Sequence, residues 1–200
     1  MGLSMNLDSY NAREAEQQHL LQVYGQYDFE PVAAEGVHIT CRDGRQLLDF
    51  YGGHAVASLG YAHPDVLETL NKQAAQLFFQ SNAVALEVRA TAARKLAEFA
   101  PAGLERVFFV NSGAEANENA FRIALKKTGR SKILAVEHSF HGRTAAAGAL
   151  TWGAREKWYG FPRTPFDVDF IPRDESDAAQ AMVDSDTAAV VIELVQGMAG

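Results

Sequence analysis

Residues 111–119, Asn-Ser-Gly-Ala-Glu-Ala-Asn-Glu-Asn, carry the residue types that can hold an anion. They follow a short apolar run and lead into a helical pattern, which indicates a strand, a tight turn and a helix. The first N–H groups of a helix lack intrahelical partners and lie at the positive end of its dipole. Gly113 allows close approach to the backbone, and Ser112 can cap the helix or donate to a phosphate oxygen. Two interpretations therefore stand here: a phosphate-binding turn or an ordinary capped helix start.

A second segment, residues 138–144, places an aromatic ring, an imidazole and a guanidinium close together in the chain. Phe140 can stack on a flat aromatic ligand, and Arg143 can bind a carboxylate through two parallel hydrogen bonds. Each residue also has a structural interpretation: Phe140 as core, His141 as a hydrogen-bonded loop residue and Arg143 as a surface charge. Their occurrence together, after the turn at Ser112, favours the binding interpretation.

The elements that must position these segments follow from short apolar runs that alternate with helical patterns in the second half of the chain. This alternation is typical of a parallel sheet with crossover helices. We predict strands at residues 107–110, 132–136, 167–171 and 188–194. Ligands of open α/β sheets lie at the carboxyl ends of the strands. The two segments above come after the first and second runs, and residues 193–197, Glu-Leu-Val-Gln-Gly, come at the end of the fourth.

The chain ahead of the parallel strands predicts smaller elements. We predict a helix at residues 12–24 within an N-terminal arm, an antiparallel ribbon at 37–50 that turns at Asp43-Gly44, and amphipathic helices at 65–79 and 86–99. A glycine-rich loop at residues 51–64 lies between the ribbon and these helices. Its backbone can pass close to a ligand or another chain, or can serve the fold alone.

The composition disfavours several classes of protein. With 25 acidic and 18 basic residues the net charge is −7, and the basic residues are scattered, so we predict no nucleic-acid binding. No apolar run approaches the length of about 18 residues that a membrane span needs. The single cysteine, Cys41, excludes an internal disulfide and has no partners at metal-ligand spacing. Because the first residues also lack the pattern of a signal peptide, we predict a cytoplasmic protein without a metal site.

Four motifs in order resemble the class III pyridoxal-phosphate-dependent aminotransferases, particularly the acetylornithine and ornithine aminotransferase group. They are residues 48–64 with Leu-Asp-Phe, Gly-Gly and Gly-Tyr-Ala-His-Pro, residues 111–118, residues 140–144 with Phe-His-Gly-Arg-Thr, and residues 193–197. The resemblance covers nearly all of residues 35–197. It implies an α/β protein of the fold-type I, aspartate aminotransferase-like class with pyridoxal 5'-phosphate as its cofactor.

The resemblance also implies roles for individual residues. Ser112, Gly113 and Ala114 would hold the cofactor phosphate. Arg143 would hold the α-carboxylate of an amino-acid substrate. The partners of the protein would accordingly be small amino and keto acids.

Three further residues would lie at the cofactor: Phe140 stacked on the pyridine ring, His141 near that ring and Glu193 on its polar edge. In the family, the aspartate that pairs with the pyridine nitrogen and the lysine that forms the Schiff base lie further along the chain than Gly200. We therefore assign no catalytic residue and expect these 200 residues to be inactive by themselves.

The resemblance assigns residues 1–60 to an N-terminal arm and the antiparallel ribbon of a small domain, and residues 61–200 to the first part of a large cofactor-binding α/β domain. The complete protein would transfer an amino group from an acetylornithine- or ornithine-like donor to a keto acid such as 2-oxoglutarate, as a homodimer with shared active sites. The alternatives are another class III enzyme, namely a racemase, mutase or decarboxylase, or a non-catalytic dimerising or cofactor-binding module if the chain ends at Gly200.

Three positions depart from the family pattern. Met198 stands where the family commonly has a glutamate, and Leu194 stands where it has a proline. His54 stands where the acetylornithine group usually has an aliphatic residue. These departures leave the identity of the donor and the acceptor open.

Overall fold

The structure is a computed structural model that describes residues 11–200. Packing divides the chain into two compact units, one up to Glu87 and one from Val88 to Gly200. The domain boundary after residue 60 stays a prediction. The part of the predicted N-terminal arm formed by residues 1–10 lies outside the described residues.

The first unit contains a three-stranded antiparallel sheet. Its elements are helix α1 (Ala12–His19), strands β1 (Pro31–Glu35), β2 (His38–Cys41) and β3 (Gln46–Leu48), and helices α2 (Gly52–Ala55) and α3 (Pro64–Gln76). Strands β2 and β3 pair antiparallel around the turn at Asp43-Gly44, where Gly44 has a φ of 85°, so the predicted ribbon is confirmed. The sheet order β1-β2-β3 adds one strand that the sequence pattern did not predict, because Pro-Val-Ala-Ala-Glu lacks alternation and gains its partner only through β2.

Two predictions for the first unit need correction. Helix α1 ends at His19 rather than at residue 24, because Leu20 has an extended backbone. The glycine-rich loop contains the short helix α2, in which Gly53 and His54 have left-handed backbone angles with φ of 57° and 59°. The periodicity of the sequence did not indicate this turn, because it depends on backbone angles rather than on apolar spacing.

The second unit contains a parallel sheet with the strand order β5-β4-β6. Its elements are helices α4 (Glu87–Phe99, which starts at the unit boundary) and α5 (Gly113–Thr128), strand β4 (Lys132–Val136), helices α6 (Ala145–Ala149) and α7 (Ala154–Lys157), strand β5 (Asp167–Ile171), helix α8 (Ser176–Met182) and strand β6 (Thr187–Val191). Both outer strands pair parallel with β4, which confirms the predicted parallel sheet. Strand β6 ends three residues earlier than predicted. None of the described helices is long and apolar enough to cross a lipid bilayer.

The prediction of a strand at residues 107–110 was wrong. A strand is defined by the hydrogen bonds of its ladder, and no strand in residues 11–200 pairs with this apolar run. Phe108 and Phe109 remain 70% and 43% exposed. The run still leads directly into α5, so the predicted turn and helix stand where the sequence places them.

The core of the second unit lies between β4 and the two helices that flank the candidate site. Ile133 and Ala135 of β4 are fully buried, and they pack in one cluster with Phe121 of α5 and Leu150 at the end of α6. Strand β4 is buried on both faces, as expected of the central strand of a parallel sheet. This packing fixes the start of α5 relative to the carboxyl end of β4.

Candidate functional site

Ser112 caps the start of α5. Its Oγ accepts a hydrogen bond from the Glu115 backbone N–H at 3.1 Å, and the Glu115 carboxylate accepts one from the Asn111 backbone N–H at 2.7 Å. This is a variant of the reciprocal capping box, and it explains the spacing of the serine and the glutamate. A hydroxyl that accepts one hydrogen bond can still donate another. The cap interpretation and the phosphate interpretation of Ser112 are therefore compatible.

Two backbone donors at this helix start have no partner among the described residues. They are the N–H groups of Gly113 and Ala114, whereas the N–H of Ala116 bonds to the Ser112 carbonyl at 3.1 Å. A Cβ added at Gly113 would meet no atom within 4 Å, so the space in front of the turn is open. Unpaired donors at the positive end of a 16-residue helix, facing open space, suit an anion.

Gly142 brings the second predicted segment against this turn. A Cβ added at Gly142 would lie 2.7 Å from the Ala114 Cβ and 2.9 Å from the Ala147 Cβ, and the φ of Gly142 is 135°. Only glycine fits such an approach without displacing a neighbour. The segment that carries Phe140 and Arg143 is therefore packed directly on the first turn of α5.

Phe140 connects the second segment to the third. Its backbone N–H donates to Glu193 Oε1 at 2.7 Å, and the residue is 40% exposed. Phe140 is therefore not part of the core formed by the described residues. Glu193 lies just after β6, so one hydrogen bond joins the carboxyl-end loops of β4 and β6. Gln196 of the third segment donates its Nε2 to the Glu137 carbonyl at 2.8 Å and ties the same two loops together.

His141 is 6% exposed, and its buried Nε2 has no hydrogen-bond partner among the described residues. Burial lowers the pKa of His141, while the nearby charge of Glu193 acts in the opposite direction. Its backbone is satisfied, since the His141 N–H donates to Thr151 Oγ1 at 3.0 Å. A buried polar atom without a partner is rare in a folded protein, so the Nε2 of His141 is a polar atom that still needs a hydrogen-bond partner.

Arg143 is exposed and lies between two anchored residues. Gly142 packs on α5 before it, and the Thr144 hydroxyl after it donates to Glu118 Oε1 at 2.5 Å. The sequence prediction did not include Glu118. The available signal was the spacing of Ala114 and Glu118 on one face of α5, but the partners of that face are visible only in the structure.

The structure thus brings the three predicted segments together. They are the turn with Ser112, Gly113 and Ala114, the loop with Phe140, His141 and Arg143, and the segment that begins at Glu193. Two of the positions that depart from the family pattern, Leu194 and Met198, are 94% and 71% exposed. The roles implied for the site residues stay predictions.

A helix start with unpaired N–H donors, an exposed phenylalanine and an arginine lie together in a unit built on a parallel sheet, which makes the second unit an α/β fold. The chain belongs to the aminotransferase class-III family, whose model matches residues 23–200. The predictions of the family and of the fold class are therefore confirmed.

Relatives and solved structures agree with this family. The chain is 38% identical to the acetylornithine aminotransferase of Methanopyrus kandleri, over 95% of this chain and 49% of that protein. It is 42% identical to the acetylornithine aminotransferase of Streptomyces clavuligerus, over 90% and 44% of the two chains. An ornithine aminotransferase structure from Toxoplasma gondii, with pyridoxal phosphate at partial occupancy in its active site, matches with a TM-score of 0.83 and 28% identity, over 92% and 45% of the two chains. The chain spans about half the length of these relatives.

Proposed function

We propose that the full-length protein carrying this chain is a pyridoxal-phosphate-dependent aminotransferase. It moves an amino group from an acetylornithine- or ornithine-like donor to a keto acid such as 2-oxoglutarate. The observation that carries the proposal is the convergence of the three predicted segments at the start of α5, in a chain of the class III family. The donor class is supported by the acetylornithine and ornithine aminotransferases that the chain resembles.

The helix start suits the cofactor phosphate. The N–H groups of Gly113 and Ala114 would donate to phosphate oxygens, and the hydroxyl hydrogen of Ser112 would add a third donor. The open space at Gly113 leaves room for those oxygens. The residues present therefore fit a phosphate group at this position.

The loop after β4 suits the pyridine ring. Phe140 would stack on the ring, with its backbone held by Glu193 Oε1. His141, kept neutral by its lowered pKa, would offer its unpartnered Nε2 to a polar atom nearby. Glu193 would also line the polar edge of the cofactor. When bound, pyridoxal phosphate supplies the electron sink that amino-group transfer requires.

Arg143 would select the substrate by its carboxylate. A guanidinium is always charged and presents parallel donors that match a carboxylate in geometry and sign. The loop holds Arg143 beside the first turn of α5, through Gly142 and Ala114. A bound amino acid would thus be oriented by its α-carboxylate while its amino end reaches the cofactor.

We further propose a cytoplasmic homodimer with shared active sites. Large apolar side chains of the first unit support an interface, since Phe50, Phe78 and Phe79 are 94%, 87% and 76% exposed. The free, buried Cys41 fits a reducing compartment. Sedimentation of the full-length protein should give the mass of a dimer, and a monomer at every concentration would contradict the assembly.

The test of the proposed function uses the purified full-length protein. It should bind pyridoxal phosphate with a visible absorbance band, and with 2-oxoglutarate present it should form glutamate from N-acetylornithine or ornithine. 4-Aminobutyrate serves as a comparison donor. A protein that binds no pyridoxal phosphate, or that binds it and forms no glutamate from any ω-amino donor, would refute the proposal.

A further inference from the structure

One face of α5 contacts the loop of the candidate site at three successive positions. Ala114, Asn117 and Glu118 are spaced i, i+3 and i+4, so they lie on the same side of the helix. Ala114 packs on Gly142, as described above. Asn117 Nδ2 donates to the His141 carbonyl at 2.7 Å.

Glu118 accepts three hydrogen bonds from the loop and from the start of α6. Its Oε1 accepts hydrogen bonds from the Thr144 hydroxyl at 2.5 Å, from the Ala146 N–H at 2.7 Å and from the Ala147 N–H at 3.2 Å. Thr144 occupies the cap position of α6, but its side chain makes no capping bond to that helix. The carboxylate of α5 therefore supplies the acceptor that a cap residue normally provides.

Water has little access to the two backbone donors that this carboxylate accepts from. Residues Ala146 and Ala147 are 4% and 0% exposed, so their N–H groups have little access to solvent. An unpaired backbone donor in a buried position carries its full desolvation cost. Removal of the Glu118 carboxylate should therefore make the start of α6 move until its donors find other partners.

Arg143 lies within the segment that would move. On one side the His141 carbonyl is held by Asn117, and on the other Thr144 is held by Glu118. Neighbouring residues of α5 thus fix the chain before and after the arginine. The direction in which the arginine leaves the backbone depends on both anchors.

We propose that Glu118 is a positioning residue that acts through Thr144 to hold Arg143 where it binds the substrate carboxylate. The inference rests on the proposed function, in which Arg143 takes that carboxylate. A displacement of about 1 Å in a positioning group can cost up to about a hundredfold in rate. A role in stability alone would weaken the fold without a preference for carboxylate ligands.

The first test compares Glu118→Ala, Glu118→Gln and Glu156→Ala in the full-length protein. Glu156 is an exposed glutamate of α7 and serves as the matched control. Glu118→Ala should raise the dissociation constant of glutarate, a carboxylate that cannot react, about tenfold, and should raise the KM of a carboxylate-bearing donor similarly. Putrescine, a diamine donor without a carboxylate, should keep a KM within about twofold of wild type.

Glu118→Gln provides the rescue. It keeps the size of the side chain and one carbonyl oxygen, so it should restore glutarate affinity to within about threefold of wild type. Glu156→Ala should change neither value. An equal loss for ligands with and without a carboxylate, or no loss in Glu118→Ala, would overturn the positioning role.

The second test does not depend on the cofactor. In cofactor-free full-length protein, hydrogen exchange at the amides of Ala146 and Ala147 should become at least about tenfold faster in Glu118→Ala, while the amides of β4 keep their rates. Unchanged exchange would overturn the anchoring by Glu118. A protein that binds no pyridoxal phosphate would instead refute the proposed function. Because hydrogen exchange is measured without the cofactor, it tests the anchoring by Glu118 separately from the proposed function.

Discussion

Replacement of Gly142 by alanine tests the packing that unites the candidate site. The added Cβ would lie 2.7 Å from the Ala114 Cβ, 2.9 Å from the Ala147 Cβ and 3.1 Å from the Ala114 Cα. Carbon atoms pack best at about 3.5–4.0 Å, so each contact must open by roughly 0.5–1 Å. Neither neighbour is the tip of a flexible side chain, because both alanines are held by helix backbone. Either the loop or the start of α5 must therefore move.

The magnitude follows from two contributions. Overpacking of a dense site costs about 1–3 kcal/mol. A residue with a side chain at the φ of 135° adds backbone strain of about 1–3 kcal/mol. Gly142→Ala should therefore lower the free energy of unfolding by roughly 2–6 kcal/mol if the loop stays in place. If the loop moves instead, part of this cost should appear as a weaker affinity for pyridoxal phosphate.

The assay is urea unfolding of the full-length protein together with a titration of pyridoxal phosphate. The matched control is Gly25→Ala, because a Cβ at Gly25 meets no atom within 4 Å and its φ lies outside the left-handed region. The control should unfold within about 1 kcal/mol of wild type. A Gly142→Ala protein with the stability and the cofactor affinity of the control would refute the close approach of the loop to α5.

Four further predictions concern single residues. Gly113→Ala should leave the free energy of unfolding within about 1 kcal/mol of wild type, since the added Cβ has open space. It should weaken the binding of pyridoxal phosphate at least about tenfold, and an unchanged affinity in a titration would contradict the phosphate role. Arg143→Ala should raise the KM of a carboxylate-bearing donor about 10- to 100-fold while the kinetics with putrescine are unaffected, and equal losses in steady-state kinetics would contradict this. Burial lowers the pKa of His141, so below pH 6.5 the unfolded chain binds more protons than the folded chain, and the free energy of unfolding should decrease as the pH is lowered. Urea titrations of His141→Gln should show a free energy of unfolding that depends less on pH. The same pH dependence in His141→Gln and wild type would count against the buried neutral ring. The hydrogen bond from Lys132 lowers the pKa of Asp184 to about 2, so the ionised carboxylate should stabilise the fold above pH 3.8, and this stabilisation should be lost as pH falls toward 2. In Asp184→Asn the free energy of unfolding should therefore decrease less between these pH values. An acid transition identical to that of wild type would contradict this prediction.

The sequence predicted the elements whose signal is local. Strands β4 and β5 lie at the predicted residues, because short apolar runs bounded by polar residues indicate a buried parallel strand on their own. The ribbon turn at Asp43-Gly44 was predicted for the same reason, since its signal is contained in two residues.

The errors concern structure that depends on distant partners. Residues 107–110 have the composition of a strand, but a strand needs a neighbour, and none of the described strands pairs with them. Strand β1 is the converse case, because its sequence lacks alternation and its hydrogen bonds come from β2. The composition of a segment indicates whether it is buried, whereas its hydrogen-bonded pairing with another strand depends on the rest of the folded chain.

In the candidate site, too, the sequence indicated the residues with a local signal and not those that depend on distant partners. Ser112, Phe140 and Glu193 were predicted as candidates because their types and positions after apolar runs are visible in the sequence. Glu118 was missed because two of its three donors are backbone N–H groups, which carry no residue-type signal. The hydrogen bonds from Thr144, Ala146 and Ala147 show in the structure that this glutamate faces the loop.

The motif at the start of α5 therefore carries two sets of groups, and Ala114 contributes its backbone N–H to the first and its Cβ to the second. Ser112, Gly113 and Glu115 shape the end of the helix, where the cap is formed and two backbone donors remain unpaired. Ala114 and Glu118 form the side of the helix that holds the loop of Arg143. If the division is right, Gly113→Ala should affect the cofactor alone and Glu118→Ala the carboxylate alone. In the variant with both changes, the loss of cofactor affinity should equal that of Gly113→Ala and the loss of glutarate affinity should equal that of Glu118→Ala, because independent sites give additive free energies. A strongly non-additive loss in cofactor affinity would show that the two sets act as one unit.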